Sequence, residues 1–315
     1  MHKEAGELRY VGRFGQTCIC LGRLFRTFIF QNEWKVLPMA GVIAGLVFMA
    51  IGNGLFTTME GTLQGTFALT CVCIWNGFFN SIQSICRERP ILKREHRAGL
   101  HITSYVFAQL IYQMILCILQ SVITLIVCRY TKVIMPETGI LLEDPTVELC
   151  ITLVLITFAA DMLALLISAL VHSTTTAMTL MPFMLIIQLV FAGFFALPES
   201  LSDVADLMLS KWGIQSLCAL GRYNDLPAVV IWNKLRSSGN MDLGGVMSMG
   251  ELLGHIEEEG MRDQILAELG KANYNEAYIS TFDNLGNCWG QLLLYALIFA
   301  AITIILLEFI DKDKR

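Results

Sequence analysis

Apolar residues along this chain gather into six long runs, roughly Leu37–Thr57, Thr66–Ile85, Thr103–Cys128, Leu149–Val171, Ala177–Leu197 and Cys288–Ile310. Each approaches the ~20 predominantly apolar residues that an α-helix needs to cross a bilayer core. The pattern therefore predicts an all-α polytopic membrane protein with six transmembrane helices. Two segments fall outside it. Gln16–Lys35 is apolar almost throughout (Ile19, Leu21, Leu24, Phe25, Phe28, Ile29, Phe30) but is broken by Arg23 and Arg26, as expected of a basic amphipathic helix lying in the membrane interface. Pro198–Asn287 is a connection of about 90 residues between runs five and six. It opens with Leu201, Val204, Leu207 and Met208 at helical spacing, then Trp212, Ile214 and Leu217, which fits a short membrane-dipping or interfacial helical pair. Further on, Leu252, Leu253, Ile256, Ile265, Leu266 and Leu269 predict small helices packed on one another. The chain divides accordingly into 1–36, 37–197, 198–287 and 288–315.

Composition agrees with the pattern. With 55% hydrophobic and 16% charged residues and a mean hydropathy of +0.60, the chain lies outside the soluble globular range. Between runs two and three, the thirteen residues Arg87–Gly99 carry eight ionisable side chains, so they form an aqueous hinge. Lys3, Arg9, Arg13, Arg23, Arg26 and Lys35 precede the first run, and Lys312, Lys314 and Arg315 follow the last. Six spans place these segments and the hinge on one face, which the basic excess makes cytoplasmic. The opposite face has no basic residue from Thr58 to Gly65, and only Arg129 and Lys132 between runs three and four. No cleaved signal is expected, because the first run begins far behind a charged lead. The expected location is a plasma (inner) membrane, bacterial in type, with both termini cytoplasmic.

Candidate chemistry is sparse. The sequence contains no phosphate-cradling G-x-x-x-x-G-K-[ST] loop, no G-x-S-x-G and no H-E-x-x-H. The pairs Cys18/Cys20 and Cys71/Cys73 lack a second half at zinc spacing, so no metal site is expected. Most of the ten cysteines sit in or beside apolar runs as small hydrophobes, while Cys218 and Cys288, both expected near the outer membrane face, could pair. Asp161 is the acidic residue deep in a run. It is either a functional intramembrane carboxylate or a group bonded inside the bundle. The amides Asn76, Asn80, Gln83, Gln109, Gln113 and Gln120 could line a polar path or glue helices together. Gly41 and Gly45, four apart, allow close helix approach. Glu257, Glu258 and Glu259 read as a solvated helix face, with cation binding as the sharper alternative.

The order of residues adds more. The second run followed by Glu88-Arg-Pro-Ile-Leu-Lys-Arg-Glu95, then Gly99 and Tyr105, resembles the first intracellular loop of ABC exporters of the G subfamily. That loop has the pattern E-[KR]-x-x-[FL]-x-x-E followed by a glycine and an aromatic residue. Ser173–Ala177, Pro182, Phe191-Ala-Gly-Phe-Phe195 and Leu197-Pro198 are similar to that family's fifth span and its exit. Lys211–Leu220 resembles its re-entrant segment and Gln16–Lys35 its connecting helix; Asn224–Leu285 has no counterpart.

The resemblance implies a permease domain that pairs with a second copy or homologue, with the cargo path at their interface between spans two and five. Arg87, Glu88, Arg89, Lys93, Arg94 and Glu95 would form a coupling helix against an ABC ATPase. Trp75, Asn76, Phe79, Asn80 and Phe191 would line the path, and Phe194 and Phe195 would plug its outer end. Asparagine at position 76 departs from the aromatic residue expected near there. ATP and Mg would belong to the partner ATPase, leaving this chain without a cofactor and not itself an enzyme. Lipid is the other partner and nucleic acid is not one. The function so implied is ATP-driven export of an apolar or amphipathic cargo: a lipid, a peptide or a drug-like molecule. The rival is a proton-coupled carrier using Asp161, which would be expected to show repeated halves that the sequence lacks. An intramembrane enzyme is disfavoured by the absence of paired catalytic groups.

Overall fold

The computed structural model describes residues 11–51, 54–136, 138–192, 202–237 and 248–309, and these are helical almost throughout. Helix α1 (Arg13–Phe30) leads through a 3-10 turn at Glu33–Lys35 into α2 (Val36–Ile51). Then come α3 (Met59–Ser81), α4 (Ser84–Arg97), α5 (Ile102–Tyr130), α6 (Pro145–Leu170) and α7 (Thr174–Val190). The long connection holds α8 (Ser202–Asp206), α9 (Leu209–Leu220), α10 (Val230–Ser237), α11 (Met249–Glu258) and α12 (Arg262–Ala272), and α13 (Phe282–Glu308) closes the bundle.

Four helical stretches among the described residues are long and apolar enough to cross a membrane: Glu33–Ile51, Ile102–Tyr130, Pro145–Leu170 and Phe282–Glu308. The other two of the six expected spans are helices of a different character. The 17 residues of α7 extend about 26 Å at 1.5 Å per residue, short of the ~30 Å core. Helix α3 is long enough at 23 residues, but it turns Thr62, Thr66, Thr70 and Asn76 into the bundle, which lowers its hydropathy.

Boundaries moved where polar atoms satisfy helix ends. Thr58 Oγ1 accepts the Gly61 N–H at 3.2 Å, so α3 starts at Met59 instead of Thr66. Its other end stops at Ser81, and Ile85, expected at the end of the second span, belongs to α4. The amphipathic segment likewise ends at Phe30, not Lys35, before Asn32 turns the chain with φ of 58°.

The core lies around α6, which is enclosed by α3, α5, α9 and α13. By contrast α2, α5, α7 and α13 expose apolar side chains such as Leu46, Ile126, Phe183 and Leu297. Apolar surface exposed on this scale is what helices facing lipid present. The expected short helical pair is α8 and α9. Leu209, Ile214 and Leu217 of α9 are buried, and the helix packs among α3, α6 and α13. Cys218 and Cys288 are both free and buried, and the Cys218 thiol lies 3.2 Å from Thr66 Oγ1. In the connection, Leu253 and Leu266 close on Trp232, with Ile256, Ile265 and Leu269 partly buried around them. The apolar stripe thus packs helix on helix as expected, and the triplet Glu257–Glu259 is exposed.

Glu148 was not singled out in the sequence, yet it organises the end of α6. Fully buried, its carboxylate accepts the backbone N–H of Ile140 at 2.9 and 2.8 Å, of Leu142 at 2.5 Å, and of Leu141. Such charge-assisted bonds are about twice as strong as neutral ones. Glu148→Ala should therefore release this turn, speeding hydrogen exchange at residues 140–142 by tenfold or more. Unchanged exchange there would refute the role.

Candidate coupling junction and transport path

Helix α4 begins without a cap of its own: Gln83, at the N-cap, makes no side-chain bond. The missing acceptor comes from α6, where Ser168 Oγ accepts the N–H groups of both Ile85 and Cys86 at 3.1 Å. Arg89 returns the favour at the other helix's end, its Nη1 donating to the carbonyl oxygens of Ala169 and Val171 at 3.0 Å each. A cation on the last carbonyls of α6 also complements the helix dipole. Helix α4 is therefore fixed to the end of α6 by four hydrogen bonds.

A second clamp fixes it to α1 and α5. Arg23 Nη1 donates to both oxygens of Glu95, at 2.7 and 2.8 Å, and Nη2 reaches Glu88 at 3.5 Å. Tyr105 donates its hydroxyl to the same Glu88 oxygen at 2.9 Å, and Gln109 Nε2 donates to Tyr105 at 3.2 Å. Burial opposes the charge on Arg23, but the hydrogen bonds it donates to Glu95 and the nearby charge of Glu88 outweigh it and raise the guanidinium pKa. Arg23 thus stays charged, and the two carboxylates it separates both face inward.

The six residues expected on the coupling helix consequently divide. Glu88 and Glu95 serve the internal clamp and Arg89 the end of α6. Lys93 is half-buried on the same helix. Arg87 and Arg94 are exposed along one face with Pro90 and Ile91, and Arg87 also pairs with Glu33 at 2.6 Å.

The expected path residues divide as well. Trp75 and Phe79 share an exposed face of α3, their ring centroids 5.3 Å apart. Asn76 points inward and is only 5% exposed. Asn80 and Gln120 exchange two amide hydrogen bonds of 3.0 Å, which ties α3 to α5. Phe191 is half-buried at the end of α7, whereas Phe194 and Phe195 lie outside the described residues. Helix α7 buries a single stripe, Ala177, Met181, Leu185 and Gln188, leaving most of its apolar surface uncovered. Asp161 is fully buried. Ser81 donates to its Oδ1, and the Cys117 thiol is 3.5 Å from Oδ2, so the carboxylate joins α3, α5 and α6.

Two contributors escaped the sequence reading. Arg23 counted there as a topological charge and as part of a basic amphipathic face, and Ser168 as nothing at all. Each acts on residues more than 60 positions away, and no local spacing signals that.

Comparison with known proteins follows the same outline. The family model described as ABC-2 type transporter matches residues 15–220, which include both clamps and the exposed α3 and α7 faces. Over 120 residues, 38% of this chain, the sequence is 29% identical to the ABC transporter ATP-binding/permease protein Rv1747 of Mycobacterium tuberculosis. That match spans 14% of the relative's length.

Proposed function

The chain belongs to the ABC-2 type transporter family, and we propose that within it this permease forms the membrane path of an ATP-driven exporter. ABC permeases act with ATP-binding subunits or domains, and the Mycobacterium tuberculosis relative is named as both in one protein. The ATP-binding part, with its Mg, works here against α4, whether it is carried by this polypeptide or another. The observation that carries the reading is the pair of clamps on α4. A helix fixed to α1, α5 and α6 moves them as one lever, so force on its exposed Arg87, Pro90, Ile91 and Arg94 face reaches the bundle. Cationic side chains around an apolar centre suit a docking groove with acidic rims.

In this reading α2, α3, α5, α6, α7 and α13 are the six spans, with the basic segments cytoplasmic and the 202–281 helices outside. A second permease copy or homologue covers the uncovered faces of α3 and α7. The cargo is apolar or amphipathic and passes between them, past Trp75, Phe79 and Phe191. Phe194 and Phe195, three and four residues after Phe191 in sequence, are the pair that the resemblance assigns to the outer plug.

Asp161 separates this reading from a proton-coupled carrier. Held by Ser81 and Cys117, it acts as a helix tie, and Asp161→Asn preserves two hydrogen-bonding positions. Transport by the Asn variant should stay within about threefold of the parent, the scale of one neutral hydrogen bond. Abolished transport would favour the carrier. Failure of the chain to bind an ATPase, together with tolerance of charge reversal at Glu88 and Glu95, would overturn the exporter reading.

A further inference from the structure

At the α4 end of the bundle, α1, the 33–35 turn, the end of α3, α4 and α5, with Val36 of α2 and Met178 of α7, line a partly open cavity of about 190 Å³. Apolar cavities of about 150 Å³ already accept a benzene-sized ring, so this one has room for a small organic molecule. Its walls are of two kinds. Phe28, Phe79 and Tyr112 supply aromatic surface, and Glu33, Glu88 and Gln109 supply acceptor oxygens.

The polar groups have a definite bias. Gln109 is 1% exposed, and its Nε2 is committed to Tyr105. Its Oε1 has no partner. Among the described residues lining the cavity, it is the one buried side-chain nitrogen or oxygen left unpaired, and it is an acceptor. A buried amide oxygen without a donor is unfavourable, so the site favours an occupant that brings N–H or O–H. Glu33 is paired with Arg87, and Glu88 shares Arg23 with Glu95, so three carboxylates stand against two guanidiniums; this balance adds a preference for positive charge, and aromatic faces attract cations in the same sense. An anionic occupant would meet Glu33, Glu88 and the Gln109 oxygen together.

We propose that this cavity binds an organic ammonium with an apolar body, the ammonium directed at Gln109 Oε1 and Glu88 and the body against Phe28, Phe79 and Tyr112. Phe79 also stands on the proposed cargo path, so the proposal deepens the transport reading by naming an amine as the chemistry recognised at the path's inner end. The binding step itself requires neither an ATPase nor transport. The bound molecule touches α1, α4 and α5 together, the three helices that the Arg23 clamp joins.

The test uses the full chain in lipid nanodiscs, without an ATPase, and three probes of one shape: 4-phenylbutylamine, 4-phenylbutanol and 4-phenylbutyrate. Equilibrium dialysis should show saturable, one-to-one binding of the amine, at least tenfold weaker binding of the alcohol and no saturable binding of the acid. Gln109→Leu should weaken the amine at least tenfold, while its melting temperature falls by only a few degrees, because the Nε2 bond to Tyr105 that goes with the unpaired oxygen is a single neutral hydrogen bond. Leu116→Phe, which fills the cavity from α5, should abolish binding by bulk alone. Equal binding of amine and alcohol, unchanged affinity in Gln109→Leu, or no saturable amine binding would each overturn the proposal. Those failures would leave the exporter reading intact, because it is tested by ATPase association.

Discussion

Replacing Arg23 with alanine should lower cargo-stimulated ATP hydrolysis by the assembled transporter about tenfold, while the protein still folds and inserts. The guanidinium joins α1 to α4 through both oxygens of Glu95 and through Glu88. Breaking a fully buried ion pair leaves an uncompensated charge and costs about 3–5 kcal/mol, whereas exposed pairs are worth about 0.2–1 kcal/mol. Arg23 and Glu95 are 32% and 34% exposed, which places the loss between these limits at about 1–2 kcal/mol. A loss near 1.4 kcal/mol in the coupled step is tenfold in rate. Arg23→Lys, which keeps a positive charge between Glu88 and Glu95, should recover a substantial part of the activity. If Arg23→Lys is as inactive as Arg23→Ala while both melt like the parent, the ion pair is not what couples the helices.

The same junction shows where sequence reading stops. Helical runs were legible because apolar length and period are local quantities: the third and fourth runs appear as α5 and α6 within four residues of the expected bounds, while the other four differ from their helices by six or seven residues at one end. That the charged segment after Ser84 is a helix came from resemblance, since its composition signals only exposure to water. Which of its charges face inward was not legible. Glu88 and Glu95 are a helical seven apart and share a face, but the partner on that face, Arg23, comes from a helix more than 60 residues earlier. Nor could spacing distinguish the two roles open to the amides. Asn80 and Gln120 form a reciprocal tie, while Gln109 keeps an oxygen unpaired beside a cavity. Trp232 was missed for a related reason. Its near neighbours at helical spacing, Val229 and Leu235, are only partly buried, and the buried residues that close on it, Leu253 and Leu266, come from later helices.

Small residues give the sharpest contrast and the second large effect. The sequence drew attention to Gly41 and Gly45, four apart in the first apolar run. A Cβ at Gly45 would meet only the Val127 Cγ1, at 3.7 Å, an ordinary contact. Gly77, in the middle of α3, draws no attention in the sequence, yet a Cβ there would meet backbone of α6: the Thr157 oxygen at 2.5 Å and the Asp161 nitrogen at 2.8 Å. Backbone atoms in a hydrogen-bonded helix cannot turn aside as a side chain can, so α3 and α6 would have to separate. Overpacking a filled core costs about 1–3 kcal/mol, and close approach of backbones is what holds helices together in lipid. Gly77→Ala should therefore destabilise the protein by about 2 kcal/mol or more, read as a lower melting temperature in detergent and less folded protein in the membrane. Gly77→Leu should prevent folding, and Gly45→Ala should melt within a degree or two of the parent. The strain at position 77 would also pull Asp161 from Ser81, because both flank the crowded contact. Gly77→Ala should thus also impair transport in the molecules that do fold, by moving the α6 helix on which α4 is anchored through Ser168. A folded Gly77→Ala protein with parental stability would mean that α3 and α6 do not meet this closely, and the lever built on α6 would lose its fixed support.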